Sequence, residues 1–254
     1  MPRIIVLSLA LVLGLAAASI APVAGAAELT FSVEPASVTI DTFYDGRTLA
    51  VRGQAPAGSA VVVRVVGEKS ELHMKEKGKV FGLLWMNLDS LAFSGVPSVF
   101  IAAASTGFFD LGPAGEALGL SGLEATIGVE GAVADKPALV AELVNLKKQE
   151  GLYREDQGLV RLGQGADGSA TFSADIGLPS RLSPGTYRVE AFALQGGAVV
   201  AQGGSLLPAS LVSTPAFLAR MAFDHGGLYG VLATIIALLA GLAIGLVFQS
   251  KGAH

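Results

Sequence analysis

Three histidines, no cysteine and a scatter of serines and carboxylates are the residues here that could do chemistry. Gly163-Gln164-Gly165-Ala166-Asp167-Gly168 fits the string G-x-G-x-x-G, whose glycines let a backbone approach a pyrophosphate, but only between a strand and a helix N-terminus. Strand pattern follows it directly, so it reads as a hairpin loop ending in Asp167-Gly168. Ser121, in Gly119-Leu120-Ser121-Gly122-Leu123, lacks the second glycine of a nucleophile elbow. His225 borders an apolar stretch and His254 is terminal, which leaves His73 as the one candidate general base of the body. Its charged neighbours on a strand-like segment read as a solvated face. His73, Met74 and Met86 are ligand types that suit Cu(I). Strand alternation, however, sends His73 and Met74 to opposite faces, with Met74 as core filler. Glu150, Glu155 and Asp156 read as a charged loop after a helix rather than a cation site. The sequence therefore predicts no catalytic, cofactor or metal site, and a protein that is not an enzyme. Trp85, the single tryptophan, reads as a core anchor or, if exposed, as the centre of a partner surface with Asn87 and Phe93.

The elements that must carry these residues lie between two apolar ends. Residues 1–26 read as an export signal: Arg3, an uncharged apolar stretch over 4–21, and Ala24-Gly25-Ala26 before the cleavage site. The alternative is a stretch retained as a second span, since its length reaches the lower limit for crossing a bilayer. Residues 227–248 carry no charge; as a helix they span about 33 Å, enough for a hydrocarbon core of about 30 Å. Tyr229 suits one headgroup layer, and Lys251 lies in the tail 249–254 beyond the other. Export of the body places that tail in the cytoplasm and the body in the periplasm. Within the span Ala233, Ala237, Gly241 and Gly245 recur every four residues, a stripe of small side chains that lets a second helix approach closely.

The body between, 27–226, is mildly acidic. The chain has 17 basic and 21 acidic residues, a formal charge of −4 and a pI near 5.4, which gives no surplus for a phosphate backbone and argues against nucleic acid. Zero cysteines exclude disulfides and a lipidated cysteine, so stability must come from a packed core. The 52% hydrophobic content supports one.

Period-two alternation marks strands. Leu29, Phe31 and Val33, then Val38 and Ile40, then Leu49 and Val51 alternate with polar residues, with turns at Asp45-Gly46 and 55–58. Residues 60–66 follow. Leu72 and Met74 then face away from His73, 75–79 reads as a charged hairpin tip, and the apolar run 80–86 as a central strand. Asp135 as N-cap, Pro137 in the first turn, Leu139, Leu143 and Leu146 at i, i+4, i+7, and Gly151 as C′ predict a helix over 136–150. A shorter helix is expected near 113–120. Phe172, Ala174 and Ile176, then Tyr187, Val189 and Ala191, restore period two, and Gly196-Gly197 turns a hairpin. Together these predict a mainly β protein. The ectodomain is an immunoglobulin-like antiparallel β-sandwich in two parts (27–106 and 158–212) around a helical insertion (107–157), followed by a juxtamembrane linker (213–226) and the span. Pro184-Gly185-Thr186-Tyr187-Arg188-Val189 resembles the turn and late strand of such sandwiches. Two smaller sandwiches are the alternative.

Gly82-Leu83-Leu84-Trp85-Met86-Asn87, then Phe93-Ser94-Gly95-Val96-Pro97-Ser98 and the apolar 99–104, resemble the alphaproteobacterial-type putative transmembrane protein family. Leu228-Tyr229-Gly230 and Ala237-Leu238-Leu239-Ala240-Gly241 are similar to that family's C-terminal end. The resemblance implies an exported body on one C-terminal span of the inner membrane, working beside another membrane protein such as a transporter, and supplies no catalytic residue; a second copy is the partner that the small-residue stripe of the span adds. The reading is a membrane-anchored accessory or interaction protein. The competitors are a ligand- or metal-binding subunit delivering to a permease, and an envelope hydrolase.

Overall fold

The computed structural model describes residues 27–80, 84–131, 135–165 and 169–249; the expected signal segment 1–26 lies outside them. Strands are numbered β1 to β14 in chain order. The large sheet runs β1 (Ala27–Glu28), β14 (Ala198–Leu211), β13 (Gly185–Gln195), β5 (Ala60–Val66), β8 (Phe100–Ala104), β10 (Tyr153–Gln157), with β3 (Val38–Ile40) also paired to β14. A second sheet runs β11 (Arg161–Gln164), β12 (Ala170–Leu178), β4 (Arg47–Ala55), β2 (Phe31–Glu34), and a third β6 (Lys69–Val80), β7 (Leu84–Pro97), β9 (Gly128–Glu130).

The first two sheets face each other. Leu49 and Val51 of β4 and Phe172, Ala174 and Ile176 of β12 meet Val61, Val63 and Val65 of β5 and Val189 and Ala191 of β13 in one apolar core. These are the residues that period two places on one face, because the opposite face of the second sheet is wet. The large sheet is covered on its other face as well, which is why β5 and β8 read as nearly continuous apolar runs. Val62, Phe100, Ala102, Ala104, Phe192 and Leu194 point outward from it into a second core. That core is closed by α1 (Gly112–Leu118), α2 (Leu120–Thr126) and α3 (Lys136–Gln149). Tyr187, near the start of β13, donates its hydroxyl to the Ser183 carbonyl four residues back at 2.7 Å, the hydrogen bond of a tyrosine corner. Gly196 and Gly197, with φ of 56° and 79°, form the two left-handed residues that a tight β13–β14 hairpin needs.

Several expectations are corrected. The sandwich is mixed rather than antiparallel: β10 pairs with β8 in parallel, as β1 and β3 do with β14. Parallel neighbours need a long crossover, and the helices between β8 and β10 supply it. Hence 153–157, placed in the insertion, is a strand of the large sheet. The single short helix is two, broken at Gly119, whose ψ of −165° is not helical. Asp135 caps α3 as expected, accepting from the Ala138 N–H at 3.0 Å. Its buried face, however, is Val140, Leu143 and Val144, and Leu146 is 40% exposed. Residues 75–79 are strand, not a tip, because a two-stranded ribbon tolerates charge where a sheet interior does not. The run 80–86 therefore straddles the β6–β7 connection, whose residues 81–83 lie outside the described part, instead of forming a central strand. The segment expected as a linker holds α4 (Ser213–Asp224), and α5 (Gly226–Gln249) follows.

Candidate functional site

Arg64 is the single charge within the run Val61–Val66. A guanidinium on a strand covered on both faces must find a partner there, and it does so on β13, eight strands later in sequence but adjacent in the sheet. Arg64 sits opposite Glu190 in the β5–β13 register, and its Nε and Nη2 donate to Glu190 Oε2 at 3.2 and 2.7 Å. The two side chains are only 20% and 19% exposed. The guanidinium lies 4.8 Å from the Phe192 ring centre and 6.0 Å from that of Phe100, so it is held between a carboxylate and two aromatic faces.

This pair marks where α1 and α2 stop covering the large sheet. Alongside it opens a groove of about 610 Å³ with Val66 and Phe100 on its floor and Leu123 and Thr126 of α2 on one wall. Arg188, whose Nη1 lies 3.9 Å from Glu190 Oε1, and Leu206 carry the groove into a second hollow of about 490 Å³ over Gln202, Gly204 and Glu28. The result is one trough across β13 and β14. Leu206, directly opposite Arg188 in the register, is 65% exposed and stands in the middle of it. Both hollows fall in the size range of ligand sites, and the lining of apolar floor, charged pair and free backbone-rich strand suits an extended segment or a small amphipathic molecule.

The residues singled out from the sequence lie elsewhere. Trp85 and Asn87 are on β7, opposite Lys79 and Lys77, and their side chains lie outside the described part. Phe93 is 2% exposed and packs in the second core, so it offers nothing to a partner; the apolar face of β7 turns it inward. Ala233, Ala237, Gly241 and Gly245 lie along α5, all exposed, and among the described residues nothing beyond the helix's own neighbouring backbone comes within 4 Å of where a Cβ would sit at Gly241 and Gly245. His73 is solvent-facing, 3.5 Å from Glu71, and Met74 packs against the second core on the opposite side. The three carboxylates are each engaged separately. Glu155 accepts from the Leu120 N–H at 2.9 Å and so caps α2, Asp156 holds Arg154 at 2.6 Å, and Glu150 lies 3.6 Å from Lys147. Gly163 and Gly165 bound the β11–β12 hairpin, as the loop reading has it, with 166–168 outside the described residues. The trough itself left one sequence signal, a charge inside a valine run, which the search for catalytic types passes over.

Three tyrosines have hydroxyls shielded from water. Tyr153, buried and donating to the Pro97 carbonyl at 2.7 Å, is pushed well above the ordinary phenol range by its burial. Burial also raises Tyr187 and Tyr44.

A mainly β body of stacked sheets is followed by α5, whose 21-residue apolar stretch Gly226–Leu246 the body does not bury; among the described residues it is the one helix long and apolar enough to cross a bilayer. The chain belongs to the family described as Putative transmembrane protein (Alph_Pro_TM), whose model matches residues 28–250. No curated protein matches it.

Proposed function

We propose that this is a single-pass inner-membrane protein without catalytic activity of its own. In this reading residues 1–26 are removed on export, the body stands in the periplasm, and 249–254 lie in the cytoplasm. The sandwich is of the immunoglobulin-like kind, a reading supported by the Tyr187 corner and by a Greek-key-like alternation between two sheets. Its role is accessory: it binds and assists another inner-membrane protein, a transporter, through the trough. A second helix, from that partner or another copy, packs on Ala233, Ala237, Gly241 and Gly245. The observation that carries the accessory role is the exposed Leu206 at the centre of an uncovered trough, on a body tethered to the membrane.

The test is co-purification of the full chain from native membranes in mild detergent, comparing wild type with Leu206→Asp. A stoichiometric membrane protein retained by wild type and lost from the variant supports the proposal. No such protein with either form overturns it. The size of the trough favours a second reading, a subunit that binds a small ligand and delivers it to a permease, and a small molecule retained by purified protein instead of a partner would select it.

A further inference from the structure

The outer edge of β14 has a gap. The Leu29 N–H donates to the Gln202 carbonyl at 2.9 Å and the Val212 N–H to the Ile40 carbonyl at 3.0 Å. Alternate residues of a strand turn their main-chain groups to the same side, so the even-numbered residues of β14 point theirs away from β13, toward β1 and β3. Pairing with β1 ends at Gln202 and pairing with β3 starts at Ala209, because the chain between them crosses to the second sheet as β2. Gly204 and Leu206 fall inside the gap. Their two N–H and two C=O groups have no main-chain partner among the described residues, and both residues are exposed.

The gap opens on the trough, where the hollow of about 490 Å³ runs past Glu28, Gly203, Gly204 and Leu206. Its two glycines differ. A Cβ at Gly203 would run into the Leu29 carbonyl, whereas one at Gly204 would meet nothing within 4 Å. Nor is Gly204 among the glycines held at positive φ. Neither packing nor backbone conformation requires a glycine at 204, and a glycine inside a strand weakens it. It leaves bare backbone on the floor of the hollow, where another main chain can come close. The charges at the two ends of the hollow are free. The Arg188 side chain is 66% exposed, and the carboxylate nearest it, Glu190 at 3.9 Å, is already bound by Arg64 at 2.7 Å. Glu28, beside Gln202 in the register, makes no ion pair among the described residues. Arg188 is beside Leu206, so the two charges flank positions four residues apart on β14, about 13 Å at about 3.3 Å per residue.

We propose that the membrane partner docks by adding an extended segment of its own chain to β14 in this gap. The segment hydrogen-bonds Gly204 and Leu206 and carries a basic residue over Glu28 and an acidic one about four residues away over Arg188. A row of alternating main-chain donors and acceptors matches another extended chain, which makes the occupant a peptide segment and not a small molecule. The inference rests on the accessory reading and names how the partner is held.

The test is amide hydrogen exchange at single-residue resolution on the full chain in detergent, alone and in the complex co-purified from native membranes. The Gly204 and Leu206 amides should exchange at least about tenfold more slowly in the complex. Gly204→Val, whose side chain rises into the hollow without touching the fold, should melt with wild type and retain about tenfold less partner. Arg188→Glu should lose partner as well, and Arg188→Lys should keep it. If no membrane protein co-purifies, the accessory reading fails and this one with it. A partner that co-purifies while the two amides exchange as in the free chain, or that Gly204→Val retains in full, overturns strand addition and leaves the accessory reading standing. A second copy of this chain found in the partner's place overturns the assignment of the occupant.

Discussion

Removing one member of the Arg64–Glu190 pair should be costly, and by different amounts for the two members. With Glu190→Leu the guanidinium stays between the rings of Phe100 and Phe192, four-fifths covered and without its carboxylate. Breaking a fully buried pair from one side costs about 3–5 kcal/mol, while an exposed pair is worth about 0–1 kcal/mol. A pair with one-fifth of its surface wet falls between, at about 2 kcal/mol. Arg64→Met is milder, about 1 kcal/mol, because Glu190 keeps Arg188 at 3.9 Å and the methionine fills space against the aromatics. The double variant, which replaces both charges with apolar groups, should recover most of the loss. For a body of this size 1 kcal/mol shifts Tm by about 2–4 °C, so Glu190→Leu should melt about 4–8 °C below wild type, and Arg64→Met about half as far below. Thermal unfolding of the full chain in detergent, followed by far-ultraviolet circular dichroism, measures all four forms. A Glu190→Leu protein melting with wild type, or a double variant melting as low as Glu190→Leu, would refute the view that the pair is a structural seal at the open edge of the second core.

Two further outcomes follow from burial. Leu143→Ala should cost about 2–5 kcal/mol as a core truncation and Leu146→Ala no more than about 0.5 kcal/mol, since Leu143 is 2% exposed and Leu146 40%; equal losses in chemical denaturation would show that α3 is turned the other way. The raised tyrosines set an alkaline limit. Their folded-state pKa values lie above the ordinary value of 10, so the stability they contribute is whole below that pH and is lost as pH rises beyond it. Absorbance of tyrosinate should lag behind free tyrosine and then rise together with loss of the circular dichroism signal. A titration centred at 10 with the fold intact would contradict the burial of Tyr153.

What the sequence reveals depends on how many faces of an element are wet. β4, β12 and β13 each have an inner face opposed to a more polar one, and Leu49, Phe172 and Tyr187 are legible as inward residues from alternation alone. β5 and β8 are covered on both faces and carry no alternation, so the sequence marks 60–66 as a strand and 99–104 only as an apolar run, and shows nothing of the layer of helices over them. The ends of α3 are legible because caps are local chemistry, Asp135 to the Ala138 N–H and Gly151 at a φ of 74°. Its face is not legible, because three leucines outweigh two valines in a periodicity argument while neighbouring elements decide which are covered. The β6–β7 ribbon is the extreme case. Its strands are local, but the continuity of its register with β5 and β8 rests on pairings between residues 26 to 42 positions apart, and two bulges reset the alternation along it. Arg64 shows how such a distant arrangement still marks the chain. Val62 lies in the helix-covered core and Val66 packs against it, and between them the outward position of β5 is arginine, with Glu190 of β13 beside it at the groove. A charge inside an apolar strand is therefore a sign that the sheet meets a boundary there, and in this protein the boundary is the rim of the trough.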